Sequence, residues 1–217
     1  MHRHALVVMP HPDDETFACG GTIAMYTQAG TPVTYLCATR GEMGRNMGIP
    51  PFATRESLPD LRERELREAC RILGIKDLRL LGIRDKTVEF VDPAWLDARV
   101  RAAIDELEPD VILTYHPTHG VHPDHNAFGA AVVRVVGAMP PERRPVVLTR
   151  AFGPNVHEIG EPDVIMDVSG VMDIKMAAIA AHRSQSDYFL TRAAQDPAVR
   201  EQMVKQRGKE NCWTYKF

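Results

Sequence analysis

Short apolar runs alternate with segments of helical periodicity along most of the chain. The helical segments are predicted at 16–29, 59–73, 92–107, 123–138, 171–183 and 193–206. The apolar runs are predicted as strands at 5–10, 32–39, 77–81, 110–115, 146–151 and 163–168. Near-continuous apolar strands that alternate with helices are typical of a parallel sheet buried between helices. We therefore predict an α/β, Rossmann-like fold with a mostly parallel sheet and helices on both faces.

One segment, 40–58, breaks this alternation because it holds three glycines, two adjacent prolines and many polar side chains. A loop of this length inside a compact domain is usually functional or disordered. In a fold of this class, ligands bind beyond the carboxyl ends of the strands. The loops after the first, second and fourth strands are therefore the expected places for chemistry, within a single domain over 1–217.

Composition narrows the class of protein. The 217 residues are 44% hydrophobic and 25% charged, as in ordinary globular proteins, and the formal net charge is −3. A net negative charge disfavours a dedicated nucleic-acid binder. The sequence has no apolar run long enough for a membrane span and no recognisable secretory signal. Its four cysteines form no CxxC pair, so we expect reduced, mostly buried thiols in a cytoplasmic protein.

Two clusters of histidine and aspartate follow predicted strands. The first strand is followed by His-Pro-Asp-Asp-Glu at 11–15, and the fourth by a segment, 116–125, that contains four of the nine histidines. Both clusters should meet at one edge of the sheet. Imidazole and carboxylate ligands without thiolates suit Zn²⁺, with Fe²⁺ or another first-row ion as alternatives. The sequence therefore predicts a catalytic metal site whose bound water becomes a nucleophile.

These clusters carry a family resemblance. His-Pro-Asp-Asp-Glu at 11–15 and His-Pro-Asp-His at 122–125, with Gly-Gly-Thr-Ile at 20–23 and His-Arg-Ser-Gln at 182–185, resemble the LmbE-like or PIG-L family of zinc-dependent N-acetylglucosamine deacetylases. The segments 41–48 and 80–87 look most like the second type of bacillithiol-biosynthesis deacetylase. The resemblance implies removal of the N-acetyl group from an N-acetylglucosaminide, with N-acetylglucosaminyl malate as the expected substrate, by attack of a zinc-bound water.

The resemblance also implies a role for each matching residue. Zinc would be held by His11, Asp14 and His125. Asp13 would be the general base, and His122 would stabilise the oxyanion and protonate the leaving amine, with its ring oriented by Asp124.

Substrate contacts are expected from residues near the same loops, because a guanidinium fork suits the carboxylates of malate. The predicted substrate-binding residues are Arg62, Arg45, Arg84 and His182. We interpret Glu15 as a brace of the first helix and Gly20-Gly21 as a close packing contact of that helix. His116 and His119 are interpreted as loop or pocket residues, since further imidazoles would overfill an open metal site.

Two alternatives stay open at this point. One keeps the site and makes the protein an amidase of bacillithiol or related thiol S-conjugates. The other is a non-catalytic, nucleotide-binding Rossmann module, which the absence of a GxGxxG pattern disfavours. The expected partner is a small molecule, with neither nucleic acid nor membrane, and the resemblance implies assembly into a homo-oligomer.

Overall fold

A computed structural model describes residues 2–217, apart from the side chains of residues 204 and 206. The described chain contains seven strands: β1 (Ala5–Met9), β2 (Val33–Cys37), β3 (Asp77–Leu80), β4 (Val111–Tyr115), β5 (Val146–Arg150), β6 (Val164–Asp167) and β7 (Lys209–Thr214). The helices of three turns or more within it are α1 (Asp14–Gln28), α2 (Leu58–Leu73), α3 (Pro93–Leu107), α4 (Pro123–Gly137), α6 (Arg183–Gln195) and α7 (Pro197–Arg207), and the shorter α5 spans Met172–Ala181.

The seven strands form one sheet in the order β3-β2-β1-β4-β5-β7-β6. The five strands from β3 to β5 are parallel, and β7 runs antiparallel to both of its neighbours. The predicted mostly parallel α/β fold is therefore confirmed. The chain runs outward from β1 in one direction and from β4 in the other, so the switch point where such folds bind ligands lies between β1 and β4.

Apolar layers cover both faces of the sheet. Alternate residues of β1 face opposite layers, with Val7 packing into the cluster that includes α1, α2 and α5, and Leu6 into the cluster of α3 and α4. Every residue of β1 is buried, as are those of β2 and β4. These strands lie beneath helices on both sides, which is why their apolar runs are nearly continuous rather than alternating.

The C-terminal part of the chain departs from the prediction. Residues 209–214, for which the sequence predicts no strand, form β7, whose polar residues include the fully buried Glu210. The helix predicted at 193–206 is wrong, because α6 ends at Gln195 and α7 begins at Pro197. Proline suits the first turn of a helix, and Asp196 caps α7 by accepting the Ala198 N–H at 2.9 Å.

Two further expectations can be compared with the described residues. All four cysteines are free and buried, as predicted. None of the helices in residues 2–217 has the length and apolar character needed to cross a bilayer.

Close packing at two glycines places the elements around the site. A Cβ at Gly21 would stand 2.4 Å from the Val168 Cβ, so the packing interpretation of Gly20-Gly21 is confirmed for Gly21, whereas a Cβ at Gly20 would meet only ordinary contacts. A Cβ at Gly129 would stand 2.1 Å from the Tyr115 carbonyl oxygen. Helix α4 can therefore lie directly against the end of β4, which brings its first turn to the switch point.

Candidate active site

A cavity of about 360 Å³ opens at the carboxyl ends of the parallel strands. Its lining comes from the loops after β1, β2 and β3, from the starts of α1 and α4, from Arg62 of α2 and from Gln185 of α6. The loop after β2 is the long segment 38–57, of which Met43, Gly44 and Arg45 face the cavity. This cavity lies where the sequence predicts the site, and the loop after β3 also contributes to its lining, through Asp85 and Lys86.

Three predicted ligand residues converge on one point of this cavity. The His11 Nδ1 and His125 Nε2 atoms are 3.1 Å apart. A carboxylate oxygen of Asp14 lies 3.4 Å from the first nitrogen, and its other oxygen lies 3.3 Å from the second. Around a tetrahedral ion with bonds of about 2.0–2.2 Å, ligand atoms stand roughly 3.3–3.6 Å apart. The two Asp14 distances, each to a different oxygen, fall in this range and the distance between the nitrogens is slightly below it, so the three side chains stand close enough together to bind a first-row divalent ion.

The protonation of the two imidazoles leads to the same conclusion. The His125 Nδ1 atom lies 2.7 Å from the Gly120 carbonyl oxygen, which can only accept, so this nitrogen carries the proton. The His11 Nε2 atom lies 3.2 Å from carboxylate oxygens of both Asp124 and Asp85 and carries a proton for the same reason. The lone pairs of the remaining nitrogens then face each other beside the Asp14 carboxylate. Such an arrangement requires a cation or an added proton.

The pKa values of these groups reflect the same demand for positive charge. Burial by itself lowers the pKa of His11, yet its hydrogen bonds to Asp124 and Asp14 raise it well above the ordinary value. Burial raises the pKa of Asp14, but the neighbouring His125 and His11 outweigh burial and hold it well below the usual range. The Asp14 carboxylate is therefore ionised, as a metal ligand must be.

Asp124 differs from its predicted role. Its carboxylate accepts from His11 Nε2 and from the backbone N–H groups of Lys86 and Val88, at 3.2, 2.7 and 3.1 Å. Only its backbone N–H reaches His122, where it donates to Nδ1 at 3.1 Å. The side chain of Asp124 therefore orients His11 rather than His122, since α4 begins at Pro123 and carries this carboxylate back toward the sheet.

Two other groups of side chains come close enough to be considered for a metal. His11, Asp85 and Asp124 have ligand atoms within 4.8 Å of one another, but the protonated His11 Nε2 and the backbone N–H groups already occupy those carboxylates. His11, His122 and His125 form the second group. This group shares His11 and His125 with the three converging ligand residues, so His122 lies beside them.

Several residues of the site were not predicted. Asp85 follows β3, and its only sequence signal is its place after a strand. The Tyr115 hydroxyl donates to Asp14 at 2.8 Å, and its ring stacks in parallel on His125 with 3.8 Å between centroids. The Tyr35 hydroxyl donates to the His11 carbonyl oxygen at 2.7 Å. Both tyrosines lie in buried strands, where their sequence context resembles that of core residues.

Asp13 lies beside the cluster in a different environment from Asp14. Its carboxylate accepts from Arg62 Nη2 at 2.8 Å, and Arg62 also donates to the Gly41 and Pro12 carbonyl oxygens. Burial raises the pKa of Asp13 to about 6, against the opposing charge of Arg62. Two adjacent carboxylates thus differ in proton affinity, as general bases and metal ligands do.

His122 can donate a hydrogen bond through Nε2. It is the N-cap residue of α4, and its Nδ1 accepts the Asp124 N–H. A neutral His122 therefore carries its proton on Nε2. Burial and the neighbouring His11 and His125 lower its pKa, which favours the neutral ring. His116 and His119 contact each other, with 3.3 Å between their Nδ1 atoms, and lie outside the cavity lining, as interpreted.

The predicted substrate-binding residues separate into two groups. Arg62 and Arg45 line the cavity. Arg84 is exposed and does not line the cavity. Lys86 lines the cavity in its place, and the backbone turns at Lys86, which has a positive φ of 65°. His182 is fully buried, with Nε2 2.6 Å from Glu15, so its predicted substrate contact is replaced by a contact with a carboxylate.

Known proteins match this chain along its whole length. The PIG-L family model, described as GlcNAc-PI de-N-acetylase, matches residues 6–136. A Bacillus cereus protein named probable N-acetyl-alpha-D-glucosaminyl L-malate deacetylase 2 is 51% identical over 223 residues and is covered, like this chain, to 100%. A Bacillus subtilis protein of the same name is 46% identical over 219 residues, which cover 100% of this chain and 99% of that protein.

A solved structure shares the fold. The N,N'-diacetylchitobiose deacetylase from Pyrococcus horikoshii superposes with a TM-score of 0.77 at 23% identity, over 99% of this chain and 84% of that one. The predicted family resemblance is confirmed by the family match and by the two Bacillus relatives. The chain belongs to the PIG-L family of de-N-acetylases.

Proposed function

We propose that the protein removes the N-acetyl group of N-acetylglucosaminyl malate, as a step of bacillithiol biosynthesis. The observation that carries this proposal is the convergence of His11, Asp14 and His125 beside a second carboxylate, Asp13, whose pKa is raised by burial. The full-length similarity to two Bacillus relatives named for this substrate supports the choice of aglycone.

His11, Asp14 and His125 would hold the metal, which we propose to be Zn²⁺, with Fe²⁺ as the alternative. A divalent ion in this position supplies a Lewis acid for the acetyl carbonyl and lowers the pKa of water. Tyr115 holds the Asp14 carboxylate and Asp124 holds the His11 ring, so both ligands are oriented by hydrogen bonds from outside the cluster.

Asp13 would move the proton of the reaction, and His122 would stabilise the oxyanion. The Asp13 carboxylate takes a proton from the attacking water, whose oxygen forms a bond to the acetyl carbon. The Nε2–H of His122 donates to the carbonyl oxygen as negative charge develops there. The C–N bond then breaks, and the sugar nitrogen leaves with the proton that Asp13 took from the water, so that the products are acetate and a free amine. His122, whose Nδ1 accepts the Asp124 N–H, has no second proton to give, so we assign it to the oxyanion and not to the protonation of the amine.

An assay of acetate release tests the proposal. Protein stripped with a chelator should release little acetate from N-acetylglucosaminyl malate, and added Zn²⁺, or Fe²⁺ without oxygen, should restore release. A bacillithiol S-conjugate with the same acetylated sugar serves as the competing substrate. A kcat/KM higher for the S-conjugate would favour the amidase alternative, and metal-independent release would contradict the proposed site.

The start of α1 argues against the nucleotide-binding alternative. A helix N-terminus binds phosphate through free N–H groups and its positive dipole end. Here Asp13, Asp14 and Glu15 place three carboxylates at that position, where a phosphate would be repelled.

The malate group of the substrate should be recognised by cations on the cavity wall. Arg45 and Lys86 both line the cavity, and within the described residues neither side chain forms an ion pair or a hydrogen bond. The backbone of Lys86 is fixed, because its N–H donates to Asp124 at 2.7 Å. We propose that these two side chains bind the carboxylates of the aglycone.

Replacing Lys86 or Arg45 with methionine should therefore raise the KM for N-acetylglucosaminyl malate by about five- to tenfold, because an exposed charge-assisted contact is lost. The KM for an N-acetylglucosaminide with an uncharged aglycone should stay within twofold. Arg84→Met is the matched control, since this exposed arginine lies outside the cavity lining. Equal effects on both substrates would contradict the assignment.

A further inference from the structure

Asp13 adopts a backbone conformation that side chains rarely occupy. Its φ is 114° and its ψ is −26°, in the left-handed region where glycine is favoured. A strained residue of this kind persists only where its surroundings fix it. The contacts that hold Asp13 therefore determine where its carboxylate lies.

The side chain and the backbone of Asp13 are held by different residues. Arg62 binds the carboxylate, as described above. The backbone carbonyl oxygen accepts the N–H groups of Thr16 and Phe17, both at 3.0 Å. The backbone N–H of Asp13 donates to Glu15 Oε2 at 2.9 Å. The carboxylate of Glu15, two residues further along the chain, therefore holds the backbone of Asp13 at its nitrogen.

Glu15 is itself held by His182. The second oxygen of its carboxylate, Oε1, lies 2.6 Å from His182 Nε2, and both side chains are completely buried. Because a carboxylate accepts hydrogen bonds, the imidazole proton is on Nε2. The Nδ1 atom has no hydrogen-bond partner among the described residues, so the contact with Glu15 is the hydrogen bond that the ring forms there.

His182 is held in its own part of the chain by local hydrogen bonds. It lies at the junction of α5 and α6, where its carbonyl oxygen accepts the N–H groups of Gln185 and Ser186 at 2.9 and 2.8 Å. Neither His182 nor Glu15 lines the cavity. The side-chain contacts of this pair lead to the site through the Asp13 peptide.

We infer that Glu15 and His182 are positioning residues that fix the Asp13 carboxylate in the geometry needed for proton abstraction. This inference rests on the proposed function, in which Asp13 is the general base. A pair that holds the peptide of a base should affect kcat while leaving substrate binding and the metal unchanged. A displacement of about 1 Å at a reacting group can cost roughly 10²-fold in rate.

The first experiment compares variants of the pair in the metal-loaded enzyme. His182→Leu should lower kcat for acetate release ten- to hundredfold, with KM within twofold and metal content unchanged. His182→Gln should recover part of the loss, because an amide N–H can donate to Glu15. Glu15→Gln, which keeps an acceptor for the Asp13 N–H, should also be milder than Glu15→Leu. If every variant showed a lower kcat together with a higher KM and a lower metal content, the inference would be overturned.

The chain offers a matched control on the same helix. Glu210 accepts the N–H groups of Gly21 and Thr22, both at 2.8 Å, and pairs with the buried Lys175 at 2.7 Å. This second buried carboxylate braces α1 beyond an irregular turn at Cys19, away from Asp13. Lys175→Gln should lower thermal stability without changing kcat. If it lowered kcat as much as His182→Gln, a general effect of loosening α1 would be the explanation.

A double-mutant cycle separates this inference from the proposed function. In an Asp13→Asn background, His182→Gln and His182→Leu should cause no further loss of the residual kcat, because their effect passes through the missing base. Equal fold losses in both backgrounds would overturn the inference and leave the base assignment intact. Full turnover by Asp13→Asn alone would refute the base assignment, and the inference with it. Should His182→Leu fail to fold, the cycle with His182→Gln and Glu15→Gln decides.

Discussion

Replacing Asp13 with asparagine is expected to lower kcat for N-acetyl hydrolysis by about 10²–10⁴-fold, the usual contribution of a general base. Asparagine has nearly the same shape and can still accept from Arg62, but it cannot take a proton at this position. The metal should stay bound, since the three converging ligand atoms belong to His11, Asp14 and His125. Turnover and metal content, measured on the same sample, check both statements.

The control for this variant is Asp105→Asn. Asp105 is an exposed carboxylate of α3, and its ion pair with Arg101 is long, at 4.0 Å. Its replacement should leave kcat and metal content unchanged. A variant of Asp13 that lost its metal together with its activity would show that this carboxylate acts as a ligand.

Replacing His125 with alanine is expected to abolish measurable turnover through loss of the metal. Loss of an outer-shell partner commonly lowers metal affinity by about 10–100-fold, and loss of a direct ligand should exceed that. The holoprotein should also lose stability, because a ligand at 100 times its Kd contributes about 2.7 kcal/mol to folding. Metal titration and melting with and without Zn²⁺ measure this effect independently of activity.

Two comparison variants make this result specific. Asp124→Asn should weaken metal binding by about 10–100-fold, less than His125→Ala, because its carboxylate contacts the metal ligand His11 from outside the cluster. His119→Ala removes a neighbouring imidazole that lies outside the cavity and should leave metal affinity unchanged. Retention of metal by His125→Ala would contradict the ligand set, and the group of His11, His122 and Asp14 would have to be tested in its place.

The sequence predicted the central part of the fold well because the chain itself carries the signals. The apolar runs of β1, β2 and β4 identify buried strands, and Asp92-Pro93 marks the start of α3, where the Asp92 carboxylate accepts the Ala94 N–H. The C-terminal region was predicted less well. β7 contains Lys209, Glu210 and Asn211 and shows little of the pattern of a strand, because Glu210 is buried against backbone N–H groups of α1 rather than among apolar side chains.

The sequence by itself indicated which side chains are candidates for the chemistry and the edge of the sheet where they gather. Strands and helices follow from local patterns, and the parallel strands of one sheet share a carboxyl edge, so the two clusters at 11–15 and 122–125 were expected to approach each other. Only the tertiary structure decided what each side chain contacts. Asp124 serves His11, Asp85 and Lys86 enter from the loop after β3, and His182 is enclosed against Glu15. These contacts join residues up to 167 positions apart, and a hydrogen bond across such a distance leaves no periodicity in the chain.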